Sequence, residues 1–417
     1  MTAKITTQKS NHVNNPTKRR TTAAVTCALL GVAALTTASS AAANTEFSVG
    51  DTDFRFGGYI KLDVMASRFD SGTIASGSIG RDFYIPGLTP VGGDSSNTVT
   101  DFHARESRFF FGATHTLSNG ETITGHFEFD FLGTSGGDKR VTNSYSPRMR
   151  NVYIDYRNWR VGQFWTNFQD LAILPEAPDF VGVADGTVFN RQPQIRYTFD
   201  NGLSVSVEAP ETTVTPYLGG TGRITTGDTA MPDITARYTT QMEGLHFTVA
   251  GIYRRLELRN YTQTIGDVTG TVNDTENAFG VNLAMKWQLG ANDIRASIVH
   301  GTGLGRYVGI NSTNGAVITD DFNLDAIDVT GYTLAYRHVW NEKWRTNLMY
   351  SRAEIGNAEE FTGILANDST QRGAINVMYQ VNERLVVGGE LSRANRELIS
   401  GSDGNMDRFQ ISAIYNF

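Results

Sequence analysis

Asp407-Arg-Phe-Gln-Ile-Ser-Ala-Ile-Tyr-Asn-Phe417 closes the chain and governs how the rest of it reads. Phe409, Ile411, Ala413, Tyr415 and Phe417 share one parity. Arg408, Gln410, Ser412 and Asn416 share the other, with Ile414 the one apolar intruder. A period of two makes a strand with one oily face and one wet face. A soluble edge strand can show the same alternation. An aromatic residue ending the oily face, with no tail beyond it, matches the closing strand of a transmembrane barrel. Such a strand has lipid outside, water inside and a terminal ring in the interfacial girdle.

The same pattern recurs upstream. Phe56, Ile60, Leu62 and Val64 oppose Arg55, Lys61 and Asp63; Ile123, Phe127 and Phe129 oppose Thr124, His126, Glu128 and Asp130. Phe279, Val281, Leu283, Met285, Trp287 and Leu289 oppose Asn282, Lys286 and Gln288. Read as helices, these runs would scatter apolar residues around the whole cylinder. Tight turns such as Ser118-Asn119-Gly120, Asp200-Asn201-Gly202, Met242-Glu243-Gly244, Gly290-Ala291-Asn292 and Asn382-Glu383 take φ > 0 cheaply. They alternate with longer segments, 70–100, 133–146, 166–189, 210–230, 259–274, 302–328, 353–370 and 396–405. Seven short and eight long connections predict an all-β transmembrane antiparallel barrel of about sixteen strands. A propeller or secreted lectin would repeat a blade-length motif or bury both strand faces, and neither sign is present.

Residues 1–43 read as a signal peptide: a basic Lys18-Arg19-Arg20 end, a short apolar core over 21–37, and Ala41-Ala42-Ala43 for cleavage. The single cysteine, Cys27, lies inside it and lacks a leucine three residues before, which argues against a lipoprotein. The segment carries five basic groups and no acid, so its removal takes the net charge from −7 to −12. Residues 44–53 are expected to form a short periplasmic segment and 54–417 the barrel. No run of about 18 or more apolar residues follows Ala43, and mean hydropathy is −0.28, which excludes a helical membrane protein but not a barrel. The 43 glycines and 10 prolines suit turn-rich β-structure.

The third long segment differs from the others. Whereas they are polar, Thr166–Phe189 carries Phe168, Leu171, Ile173, Leu174, Phe180 and Val183. Such a loop is expected to fold into the lumen and narrow it, the alternative being an external loop used in trimer contact. The strand face opposite the oily one holds about fourteen basic residues, among them Arg160, Arg254, Arg295, Arg345, Arg372 and Arg408, against about eight acids. The lumen is therefore expected to be net positive and to concentrate small anions, since a low-dielectric wall focuses the field. Arginine can grip a carboxylate in a fork yet exchange it quickly in wet surroundings.

Phe56-Gly-Gly-Tyr-Ile-Lys-Leu-Asp63, Ala104-Arg-Glu-Ser-Arg-Phe109, Val161-Gly-Gln-Phe-Trp165 with Leu174-Pro-Glu176, and Arg191-Gln-Pro-Gln-Ile-Arg-Tyr197 resemble the DcaP-like outer-membrane porins. The terminal aromatic strand likewise resembles the sorting signal of bacterial outer-membrane proteins. The resemblance implies an outer-membrane location, a homotrimer and a channel for dicarboxylates and other small anions, while no Gly-rich phosphate loop or basic helix points to a cofactor or to nucleic acid. Some members carry a periplasmic coiled coil before the first strand. Residues 44–53 leave no room for one, so a trimer would rest on barrel-wall contacts. Arg108 and Arg196, inside these motifs and mid-strand, are the leading candidates for an anion-binding constriction, followed by Lys61, Arg237 and Arg337. Asp170, Glu176 and Asp179 on the inward loop are expected to face them or to pin the loop. A non-selective porin is the nearest alternative, with an adhesive or hydrolytic barrel further off. His103, His115, His126, His246, His300 and His338 stand singly, without a nucleophile motif or metal spacing. An enzyme is not expected.

Overall fold

The computed structural model describes residues 45–417 apart from Ser135. The expected signal peptide and Cys27 lie outside the described residues. Sixteen antiparallel strands run in chain order from Thr52–Phe69 to Asp403–Asn416, and the ring closes where Tyr59–Phe69 pairs with Met406–Asn416. Two features depart from a plain meander. Thr45–Val49 folds back on Thr52–Phe56 as a ribbon below the wall. The second strand is interrupted, with Asn97–His103 and Arg108–Thr116 as its two halves along Thr52–Phe69. Closure matters in lipid because an open edge would leave backbone donors and acceptors with no partner.

Strand parity follows the sequence. Phe409, Ile411 and Tyr415 are exposed on the outer face, whereas Arg408, Gln410, Ser412 and Ile414 are buried inside. Phe417 exchanges backbone hydrogen bonds with Gly58 (3.2 and 3.3 Å) and packs its ring on Phe56 and Phe109, both 5.7 Å away. Gly58 has to be glycine: its φ is +148°, and a Cβ there would stand 2.0 Å from the Arg108 carbonyl oxygen. The chain terminus therefore locks the seam of the barrel.

Two expected loops prove to be wall. Residues 259–274 are a ladder, not a loop, because Leu245–Ile265 and Val268–Leu289 stay paired from Leu245↔Trp287 to Ile265↔Val268, with one irregularity between Leu258 and Tyr261. Thr262, Thr264, Thr269 and Thr271 favour extended backbone even beyond the apolar belt. Segment 396–405 shrinks likewise to a turn between Leu398 and Asp403.

The expectation that only the third long segment turns inward is corrected. Leu304, Tyr307, Val308, Val317 and Ile318 of segment 302–328 are fully buried, and so is Val214 of segment 210–230. Thr212–Thr215, Ile224–Thr226, Ala316–Ile318 and Leu324–Ala326 make a small second sheet whose central pair is parallel. It covers inward-facing Leu256, Leu258, Val272 and Ala278, while Leu304, Tyr307 and Val308 cover Ala250, Ile252, Val299 and Val329. The inner wall is thus apolar here, not hydrated. Each such aliphatic side chain removed from water contributes about 1.5–3 kcal/mol. Sequence polarity hid this because Val, Leu and Ile are dispersed among Gly, Asn and Thr in these loops.

Candidate permeation pathway

Loop Thr166–Phe189 enters the barrel and is fastened along its length. Asp170 caps Ala172 (2.9 Å) and meets His246 (2.8 Å) and Thr248 (3.0 Å). The Phe168 carbonyl accepts from Asn282 (2.9 Å), and Leu174 from Arg295. Glu176 takes both arms of the Arg345 fork (2.7 and 2.5 Å), while its carbonyl accepts from Asn376 (2.9 Å). The Pro178 carbonyl accepts from Lys61 (2.6 Å) and Gln410 (2.9 Å). Asp179 lies 3.4 Å from Arg408 and 3.5 Å from Arg372, and Arg372 also donates to the Gly182 carbonyl (2.6 Å). At the tip, Gly186 donates to Ser351 (2.7 Å) and fits flush against the wall, where a Cβ would come within 2.3 Å of the Tyr332 nitrogen and the Arg352 oxygen. No side chain fits there.

A second inward segment supports the loop from above. Tyr84 donates its amide to Asp179 (3.1 Å) and its hydroxyl to Asp185 (2.8 Å), and Phe83 packs edge-on against Phe180 at 5.1 Å. Asp185 is fully buried, and its other carboxylate oxygen has no hydrogen-bond partner among the described residues. Burial pushes its carboxyl up to about 7, although Tyr84, Thr370 and Arg372 pull the other way. Asp179 and Asp170 are held low despite their burial, the first by Arg372 and Arg408, the second by His246. The wall break at 104–107 serves the same assembly. Arg105 leaves the ladder to pair with Asp82 and to donate to the Phe131 carbonyl (3.1 Å), while Glu106 pairs with Lys61.

The residues singled out in the sequence therefore divide. Lys61 is buried between Asp63 (3.4 Å) and Glu106, and Arg337 pairs with Asp293 (2.7 Å). Asp170, Glu176 and Asp179 all anchor the loop. Arg196 donates only to neutral groups, Gln194 (3.0 Å) and the Trp165 carbonyl (2.5 Å), and Arg237 to the Gln169 carbonyl (2.8 Å). Neither has a carboxylate within ion-pair distance among the described residues.

Arg108 belongs to a group the sequence reading missed. Together with Arg148, Arg150 and Arg191 it lines a stretch of wall beside Phe180 of the loop, around Glu128 and Asp130. Arg148 grips Asp130 in a fork (2.9 and 2.8 Å), Arg150 bridges Asp130 (2.7 Å) and Glu128, and Arg108 is 3.5 Å from Glu128. Arg191 has no carboxylate partner among the described residues and lies over the Trp165 ring at 4.6 Å. The guanidiniums of Arg148 and Arg150 sit 5.5 and 5.4 Å from the ring of Phe180 on the loop. The alternation Arg148-Met149-Arg150 was a usable signal. A register shift between Phe127 and Phe129 on the neighbouring strand sets both Arg150 and Asn151 opposite the single residue Glu128, and this bulge broke the parity that follows it.

Inward-facing rings continue along this side. Phe110, His126, Tyr153 and Phe164 follow one another across four strands at 5.7, 4.9 and 5.1 Å, with Arg160 over Tyr153 (4.0 Å) and Phe164 (4.2 Å). Arg160 is itself forked to Asp155 (2.7 and 2.8 Å).

The DcaP outer membrane protein family model matches residues 26–417. No curated protein matches the sequence. The outer membrane channel DcaP of Acinetobacter baumannii superposes with a TM-score of 0.70 at 19% identity, covering 89% of this chain and 99% of that one. OmpT of Vibrio cholerae (in-vitro folded; 0.52, 11%, covering 89% and 99%) and Salmonella typhi OmpF in complex with daunomycin (0.52, 11%, covering 89% and 100%) are more distant neighbours. A closed sixteen-strand barrel with an inward loop, matched along nearly its whole length by the family model, places this chain in the DcaP outer membrane protein family, as a porin of the bacterial outer membrane.

Proposed function

We propose that this porin is a weakly binding, anion-preferring diffusion channel for small hydrophilic solutes, dicarboxylates among them, working without catalysis or cofactor. One observation carries the reading. On the wall facing the inward loop, four guanidiniums (Arg108, Arg148, Arg150, Arg191) surround two carboxylates, Glu128 and Asp130. Arg196 and Arg237 add charge with no carboxylate within ion-pair distance among the described residues. The surplus stands within a low-dielectric wall, where its field extends into the passage and raises the local anion concentration. A dicarboxylate passing between Arg148 and Arg191 exchanges water for guanidinium donors at each step without being trapped. The paired cations elsewhere, Lys61, Arg295, Arg337, Arg345 and Arg372, hold the scaffold, so preference and not strict selectivity is expected. A homotrimer held by barrel-wall contacts, and secretion through a signal over 1–43, complete the reading.

The test is a reversal potential in planar bilayers under a salt gradient. Anion preference is expected, and Arg148→Gln together with Arg191→Gln should lower the anion-to-cation permeability ratio roughly two- to fivefold. Cation preference in the unaltered protein would overturn the assignment, and succinate that fails to reduce chloride current would remove dicarboxylates from it.

A further inference from the structure

The outer wall of a barrel in lipid needs only to be apolar, yet one stretch of it is also hollow. A groove of about 920 Å³ crosses the outer face from strand Asp328–Val339 to strand Thr52–Phe69. Its sides are Leu334, Leu348, Ile375, Leu391 and Phe409. Its floor is low because two outward positions lack bulk, Ala66 and Gly373, and a Cβ placed on Gly373 would meet nothing within 4 Å.

The upper edge of this groove is charged. Register puts Gly373 beside Arg393, Arg393 beside Asp407, Asp407 beside Arg68 and Arg68 beside Thr98, all in one outward row. Arg393 is 3.5 Å from Asp407, with the two side chains 67% and 49% exposed. Arg68 is exposed and has no carboxylate within ion-pair distance among the described residues. Two guanidiniums against one carboxylate leave a positive charge where the apolar belt ends. The next row is polar, with Gln371, Asn395 and Asn405, and its carboxylate Asp70 is engaged by Asn405 (2.7 Å) and not by either arginine. The row lies toward the long-loop end of the strands, which faces outward in barrels of this kind.

We propose that this groove binds a phosphorylated glycolipid of the outer leaflet, lipid A in chemical type. An acyl chain lies over Gly373 and Ala66, and a phosphate sits on Arg68 and Arg393. The apolar sides suit the chain, and the planar guanidiniums suit a phosphate bidentately. Asp407 stands between the two arginines and holds Arg393 in place, and because its carboxylate opposes the phosphate, both guanidiniums are needed to keep it. This site is separate from the lumen and does not depend on which solute passes.

Native mass spectrometry of the full-length mature protein, extracted with its own lipids and then exchanged into detergent, tests the assignment. One phosphorylated glycolipid per chain is expected to survive the exchange. Arg68→Ala with Arg393→Ala should lower its occupancy at least about fivefold. Gly373→Leu, which fills the floor and keeps both arginines, should do the same, and heat-resistant migration of both variants checks that the barrel has closed. Re-addition of dephosphorylated lipid A should not restore binding, whereas bisphosphorylated lipid A should. Four results would overturn the proposal: an unaltered protein that carries no glycolipid, a phospholipid retained in its place, full occupancy in either variant, or a Gly373→Leu protein whose assembly mass changes while its lipid content does not. The last result would make the groove a contact between copies of the chain.

Discussion

The two sides of the barrel use arginine in opposite ways. From Asp328–Val339 round to Thr52–Phe69, inward Lys61, Arg345, Arg372 and Arg408 spend their hydrogen bonds on Glu176, Pro178, Asp179 and Gly182 of the inward loop. From Arg108 to Arg196, on the short strands opposite, guanidiniums outnumber carboxylates and stack on Tyr59, Trp165 and Phe180. Along each strand the pattern is similar, with polar and basic residues alternating with oily ones. What differs is the group across the lumen. Arginines that meet carboxylates and carbonyls of the loop fasten it, as Arg237 also does at Gln169, whereas the guanidiniums around Glu128 and Asp130 outnumber the carboxylates beside them.

The largest effect should come from breaking a fastener. Arg345→Met leaves Glu176 buried without its fork, a loss of about 3–5 kcal/mol that the loop contacts have to absorb. The barrel wall should stay closed while the loop loosens, so single-channel conductance should rise and become noisy. A quiet trace of unchanged size would mean that the loop is held elsewhere.

A proton offers a gentler way to the same end. Asp185 lies on the loop, with its carboxyl raised to about 7 by burial from an ordinary 3.8. The docked loop therefore binds this proton more tightly than the released loop does. Docking loses stability as pH climbs from about 4 through 7 and levels off above it, because burial disfavours the ionised carboxylate in the docked loop. Loop-dependent current noise should grow between pH 5 and 8 and flatten in Asp185→Asn. Noise that falls with rising pH contradicts the sign.

The smallest effect is expected at the seam that closes the ring, between Thr52–Phe69 and Asp403–Asn416. Phe417→Ala removes ring contacts to Phe56 and Phe109 but keeps the backbone bonds to Gly58, for a loss of about 1–2 kcal/mol. Urea titration of the refolded barrel should show a lower midpoint with selectivity unchanged. A shifted reversal potential would tie the seam to the pore.

Local chemistry was enough to find the wall. Side-chain direction alternates with every residue of a strand, so Phe409 and Arg408 declare lipid and lumen without any partner being known. The apolar content of Thr166–Phe189 likewise announced that this loop leaves water, since Leu171, Ile173 and Leu174 have nowhere else to go. Which cation does which work could not be read this way. Arg345 and Glu176 meet 169 residues apart, and Arg372 reaches Gly182 across 190. Such pairings exist only once the ring has closed and the loop has entered it. Arg150 was hidden by one irregular residue beside it, and the inward turn of Leu304, Tyr307 and Val308 by the polar residues around them. Alternation is a property of neighbours along the chain, whereas charge balance in a lumen is a property of neighbours across it.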